Sequence, residues 1–167
     1  MAFNPKLKTM EHLDDTDIKI LEILQEDCRL TNKEIAAKVN LSSTPVFERI
    51  KRLEKAGYIK KYVAVLDNEK LHRGFVVYCY LKFKQLNTQI AKEFTNAIMA
   101  MEEIAECYNI SGEFDYMLKI QAPDMNYYRR FLIDTIGKFE YVGSIHSVFV
   151  MDRIKHTYGV GLGKENK

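Results

Sequence analysis

The sequence predicts an α+β protein of two parts, an N-terminal helix-turn-helix domain of winged-helix-like type and a C-terminal ferredoxin-like βαββαβ domain. Three observations lead there. The first sixty residues hold three short stretches with helical apolar spacing; the acid-rich first stretch gives way to a base-rich third; and from Tyr58 onward β-branched and aromatic alternation takes turns with further helical stripes. The expected divisions are residues 1–57 for the helical domain, 58–74 for a linker strand and hinge, 75–158 for the sheet domain and 159–167 for a mobile tail.

The first helix is expected to open at Asp14 as N-cap. Asp15 and Asp17 favour the positive end of the helix dipole, and Ile18, Leu21, Leu24 and Cys28 recur at helical spacing. Thr31-Asn32-Lys33-Glu34 fits a capping box, so a second, short helix begins near Asn32, turns Ile35, Ala36 and Val39 inward, and ends at Asn40. Leu41 then plugs the core, and Ser42-Ser43-Thr44-Pro45 opens a third helix, capped either by Ser42 or by Thr44. On a wheel of about 100° per residue, Val46, Ile50, Leu53 and Gly57 fall within about 60° and form the buried face. Thr44, Glu48, Lys51 and Lys55 lie opposite, Arg52 borders them, and Ser42 and Ser43 sit at the tip.

The charge follows this division. Glu11 to Asp27 contains seven acids and one base, whereas Glu48 to Lys61 contains six bases and two acids, a local excess of +4 on a chain whose formal net charge is only +2. A confined basic face on a nearly neutral protein suits selective contact with a polyanion, with cations on phosphate oxygens and the helix tip and polar face in a major groove. The candidate DNA-binding residues are Ser42, Ser43, Thr44, Glu48, Lys51, Arg52 and Lys55, and the partner is double-stranded DNA.

Ile59 to Leu66 reads as a linker strand, followed by a turn at Asp67-Asn68. The second domain then runs as a strand from Phe75 to Phe83, a helix from about Thr88 to Met101, a strand from Ile104 to Ile110, and a turn at Ser111 to Asp115. A strand from Tyr116 to Gln121, a helix capped by Asp124, and a strand from Ile145 to Met151 complete it. Two helices on one face of a sheet leave the other to be buried elsewhere, and self-association is the natural remedy.

Several functions are disfavoured. The longest apolar run, Phe75 to Leu81, is too short to span a bilayer, and residues 1–11 hold no stretch resembling a signal peptide, so a cytoplasmic location with no membrane partner is expected. Three separated cysteines, Cys28, Cys79 and Cys107, are read as buried thiols, not as a disulfide framework or zinc site. The four histidines are scattered and no nucleophile or phosphate-loop motif occurs, so an enzyme is not expected, nor any cofactor or metal. RNA binding through the βαββαβ unit is disfavoured because Tyr116-Met117-Leu118-Lys119-Ile120 offers little stacking surface. A ligand sensor acting only through protein partners would leave the basic helix face without a use.

Leu13 to Leu21, Leu41 to Ile59, and Glu106-Cys107 through Ser111-Gly112-Glu113-Phe114-Asp115-Tyr116-Met117-Leu118 resemble the Lrp/AsnC (feast/famine) transcription regulators, over about Leu13 to Lys155. The resemblance implies an N-terminal DNA-binding domain, a linker strand, and a C-terminal domain that senses an amino acid, with dimers assembling further, commonly to octamers. It also implies an effector site near the Gly112 to Asp115 turn. Asp115 is expected to accept from an ammonium group, Ser147 and turn amides to donate to a carboxylate, and Asn109 and Met125 to lie nearby. The chain carries Glu140-Tyr141-Val142 where the family often has Pro-Gly-Val, and Ile145-His146-Ser147 in place of a Thr-x-Thr pair.

Overall fold

The computed structural model describes residues 13–162; the leader and terminal-tail readings for residues 1–12 and 163–167 lie outside the described residues. The described residues divide into two compact units, residues 13–64 with 155–162, and residues 65–154.

Unit 1 is a three-helix domain. Helix α1 spans Asp15–Glu26, and Asp14 caps it by accepting from the Asp17 N–H at 2.8 Å while the Asp17 carboxylate accepts from the Asp14 N–H at 3.2 Å. Helix α2, Asn32–Val39, has the expected capping box, with Thr31 accepting from the Glu34 N–H and Glu34 accepting from the Thr31 N–H at 2.7 Å. Asn40 ends it in the left-handed region at φ 55°, and the chain turns within two residues to α3, Ser43–Ala56. Ser42 is the N-cap of α3, which settles the choice the sequence left open, although its side chain makes no capping bond.

Ile20, Leu21, Ile35, Ala36, Val46, Ile50 and Leu53 make the core, as their spacing predicts. Four expected members are outside it, among them Ile18 and Cys28, which are only half-buried. Leu41 is exposed, because the short turn leaves its side chain on the surface, and Gly57 is the exposed C-cap of α3 at φ 85°, where glycine avoids the steric cost of a Cβ.

Unit 2 is a four-stranded antiparallel sheet in the order β2-β3-β1-β4, built from β1 Phe75–Phe83, β2 Ile104–Asn109, β3 Tyr116–Ala122 and β4 Val142–Phe149. Helices α4 (Thr88–Met99) and α5 (Met125–Asp134) supply Phe94, Ile98, Tyr128 and Phe131 to a core with Val77, Cys79, Leu81, Phe83, Leu118 and Ile120. This is the predicted βαββαβ order, and its outer strands sit in the ferredoxin-like arrangement. Burial alternates along all of β3 and along β1 from Val77 to Phe83, so Tyr78, Tyr80 and Met117 face away from the helices, on the same side as the buried Val76.

Three further expectations are corrected. Residues 59–66 form no strand, and Val63, Val65 and Leu66 are exposed, because β-propensity makes a strand only where an edge accepts its hydrogen bonds. Cys107 is exposed on the edge strand β2 and Cys28 is half-buried, so only Cys79 is the buried thiol expected of all three. The tail is placed up to residue 162: Val160 donates its N–H to Gln25 Oε1 at 2.6 Å, Gln25 Nε2 returns a bond to the Val160 carbonyl, and Leu162 packs on the helical core.

Candidate nucleic-acid interface and effector site

Helix α3 is held by its apolar side, which fixes what its other side presents. Ser42, Ser43 and Thr44 are exposed at its N-terminus, where the first backbone N–H groups have no partners within the helix. Glu48, Lys51 and Lys55 follow, also exposed, at spacings that place them on one face. Lys51 donates to Glu54 at 2.9 Å, and Glu54 also accepts from the Tyr62 hydroxyl at 3.0 Å. These bonds, first Lys51 and then Tyr62, hold the Glu54 carboxyl below its ordinary value, while burial and the Glu54 bond push the Tyr62 phenol up to about 12. The contact ties the linker to α3.

Arg52 is placed differently from its neighbours. Its Nη2 donates to Asp17 Oδ2 at 2.6 Å, and Arg49 Nη1 donates to Asp17 Oδ1 at 2.7 Å and to Asp14 Oδ2 at 2.6 Å. Asp17 has 0% of its surface exposed. Two cations of α3 thus converge on one buried carboxylate of α1, a pairing that the sequence-based expectations do not include. A signal is present: Leu13, Asp17, Ile20, Leu21 and Leu24 share the apolar spacing, so an acid stands on the buried stripe.

In unit 2 the effector candidates separate. Asn109 and Asp115 do meet at the β2–β3 turn: Asn109 Nδ2 donates to the Asp115 carbonyl at 2.9 Å, and Gly112 holds φ 124° within the turn. The Asp115 carboxylate is already engaged, with Oδ2 accepting the Phe83 N–H at 2.7 Å and Oδ1 lying 3.8 Å from Lys82 Nζ. Met125 begins α5, just beyond the far end of β3, and so lies at the opposite end of the sheet from the turn. Ser147 pairs with Cys79 in mid-sheet on the helix-covered side, where its hydroxyl lies 2.5 Å from the buried Tyr128 hydroxyl. Within one chain, therefore, only Asn109, Gly112 and Asp115 come together.

Comparison with known proteins decides the family. A family model described as winged helix-turn-helix DNA-binding matches residues 13–60, and one described as Lrp/AsnC ligand binding domain matches residues 76–160. The chain belongs to the Lrp/AsnC family. It is 36% identical over 152 residues to the leucine-responsive regulatory proteins of Klebsiella pneumoniae and Escherichia coli K12, covering 91% of this chain and 93% of theirs. Its structure resembles a Neisseria meningitidis transcriptional regulator solved in complex with L-Met, with TM-score 0.87, 36% identity, and coverage of 90% and 97%. An AsnC family regulator from Agrobacterium tumefaciens gives TM-score 0.85 at 35% identity, with the same coverage.

This Lrp/AsnC protein is accordingly a DNA-binding transcription regulator with a ligand-binding domain, in a family of regulators and not of enzymes. Among the described residues no helix is long and apolar enough to cross a membrane, and no three His, Cys, Asp or Glu side chains gather as a metal site.

Proposed function

We propose that α3 reads the major groove of double-stranded DNA with Ser42, Ser43, Thr44 and Glu48, and that Lys51 and Lys55 meet the phosphates. The observation that carries this is the exposed tip and face of α3, opposite a fully formed apolar side. Hydroxyls at a helix N-terminus suit phosphate or base edges, and a carboxylate such as Glu48 accepts from cytosine N4. Arg52 borders this face, with its guanidinium held by Asp17. The protein works in the cytoplasm, as a homodimer that assembles to an octamer.

The effector of the second unit is an amino acid with an apolar side chain and meets the β2–β3 turn through Asn109, Gly112 and Asp115. Its support is the name of the leucine-responsive relatives and the L-Met bound to the Neisseria protein. Ser147 and Met125 join such a site only if another copy brings them to it.

Fluorescence anisotropy with duplex DNA across a salt series tests the first part. Lys55→Ala should weaken binding on all sequences and shallow the salt slope by about one unit. An unchanged slope and affinity would remove α3 from the interface. A thermal-shift screen of the twenty amino acids tests the second, with leucine or methionine expected to raise the melting temperature and a flat screen overturning the effector assignment.

A further inference from the structure

The basic character of α3 is smaller in the folded protein than in its sequence. Four cations lie along the helix: Arg49, Lys51, Arg52 and Lys55. Lys51 is paired with Glu54, and both arginines are bonded to Asp17, with Arg49 also on Asp14. Lys55 alone of the four has no ion pair among the described residues.

Asp17 is unlike the surface acids around it. It is fully buried, both its oxygens accept from guanidinium groups at 2.7 Å or less, and it sits within the first turn of α1, where the dipole favours its charge. Arg52 nevertheless keeps 40% of its side chain exposed, at the border of the polar face of α3. A guanidinium held by a buried carboxylate keeps a set plane, unlike a loose cation that follows any phosphate.

We propose that Asp17 is a positioning residue that sets DNA specificity, restraining Arg49 and Arg52 so that their charge adds little to sequence-independent attraction and Arg52 meets DNA in one orientation. This rests on the reading of α3 as the DNA-contacting helix. Non-specific binding is almost wholly electrostatic, so neutralising two of four cations from within lowers the background against which base contacts are read. An aspartate that only stabilised the fold would not favour one DNA sequence over another.

The test compares binding to two duplexes across a salt series, one enriched from a random pool by the wild-type protein and one of scrambled sequence. Asp17→Asn keeps the side-chain volume and removes the charge. Its affinity for the scrambled duplex is expected to rise with a salt slope steeper by about one unit, and the ratio of specific to scrambled affinity to fall about tenfold. Equal loss on both duplexes with an unchanged slope would make the role merely structural and overturn the proposal, as would wild-type behaviour.

If circular dichroism shows Asp17→Asn to be unfolded, Arg52→Lys decides. It keeps the charge at a half-exposed position but loses the planar fork, so the ratio should again fall, and a wild-type ratio and slope would overturn the proposal. Lys55→Ala, measured on both duplexes, separates the two levels. A drop on both supports the reading of α3, whereas no change overturns that reading and the proposal with it.

Discussion

At the scale of single residues, Asp14 shows how one side chain serves both local and tertiary structure. It caps α1 and accepts from Arg49 of α3. Burial pushes its carboxyl up, but the Asp17 backbone N–H and the Arg49 guanidinium outweigh that and hold it below its ordinary 3.8. A carboxyl lowered on folding contributes stability above its unfolded value and loses it as pH falls through the folded value. Asp14→Ala should therefore cost about 1 kcal/mol at neutral pH, mostly as a lost cap, since an exposed ion pair adds only a few tenths. Urea titrations of wild type and variant should differ near neutral pH and converge well below pH 3.8; a gap that persists in acid would mean the carboxylate charge is not what matters. The cap itself is legible in the sequence because it depends on residues within four positions. The Asp17 to Arg52 bond joins residues 35 apart, and no local pattern states which of several arginines will reach a buried acid.

At the scale of elements, the same contrast explains which boundaries are readable. Helix α2 carries its own start and stop signals in Thr31, Glu34 and Asn40, and β1 its own alternation, so both lie where the sequence predicts them. The linker has strand-forming residues but pairs with no strand among the described residues, and propensity alone does not supply a partner. The candidate effector residues behave likewise: Asn109 and Asp115 flank one turn and meet, while the sheet register fixes Ser147 in mid-sheet and Met125 starts α5 beyond the far end of β3. Gly57 departs from its expected place for a related reason, since wheel position describes a residue inside a helix and Gly57 ends one. A methyl group on its Cα would meet nothing within 4 Å, so the constraint at its φ of 85° is conformational and not crowding by neighbours. Gly57→Ala should accordingly destabilise the helical unit by about 1 kcal/mol or somewhat more, measured by thermal melts. A neutral or stabilising result would mean that the helix ends differently in solution.

At the scale of the whole molecule, the two units pose different problems of burial. The helical unit closes around its own core, whereas the sheet unit covers only one face with α4 and α5. On the other face Tyr80 lies 5.5 Å from Phe114 and 6.4 Å from His146 between ring centroids, beside Met117, and Val148 is exposed. Such a contiguous apolar and aromatic surface is costly to leave in water, and a second copy offers a self-complementary cover. The consequence reaches the DNA, because two linked reading helices bind paired half-sites with a far higher effective concentration than one. Tyr80→Arg places a charge in the middle of that face and, in a symmetric pairing, sets it near its own copy. Sedimentation should then show a smaller species than wild type, and affinity for a two-half-site duplex should fall by about tenfold or more, while binding to a single half-site stays near wild type. If the variant keeps the wild-type assembly, the open face of the sheet is not what holds the copies together, and the linker and its exposed Val63, Val65 and Leu66 become the surface to substitute next.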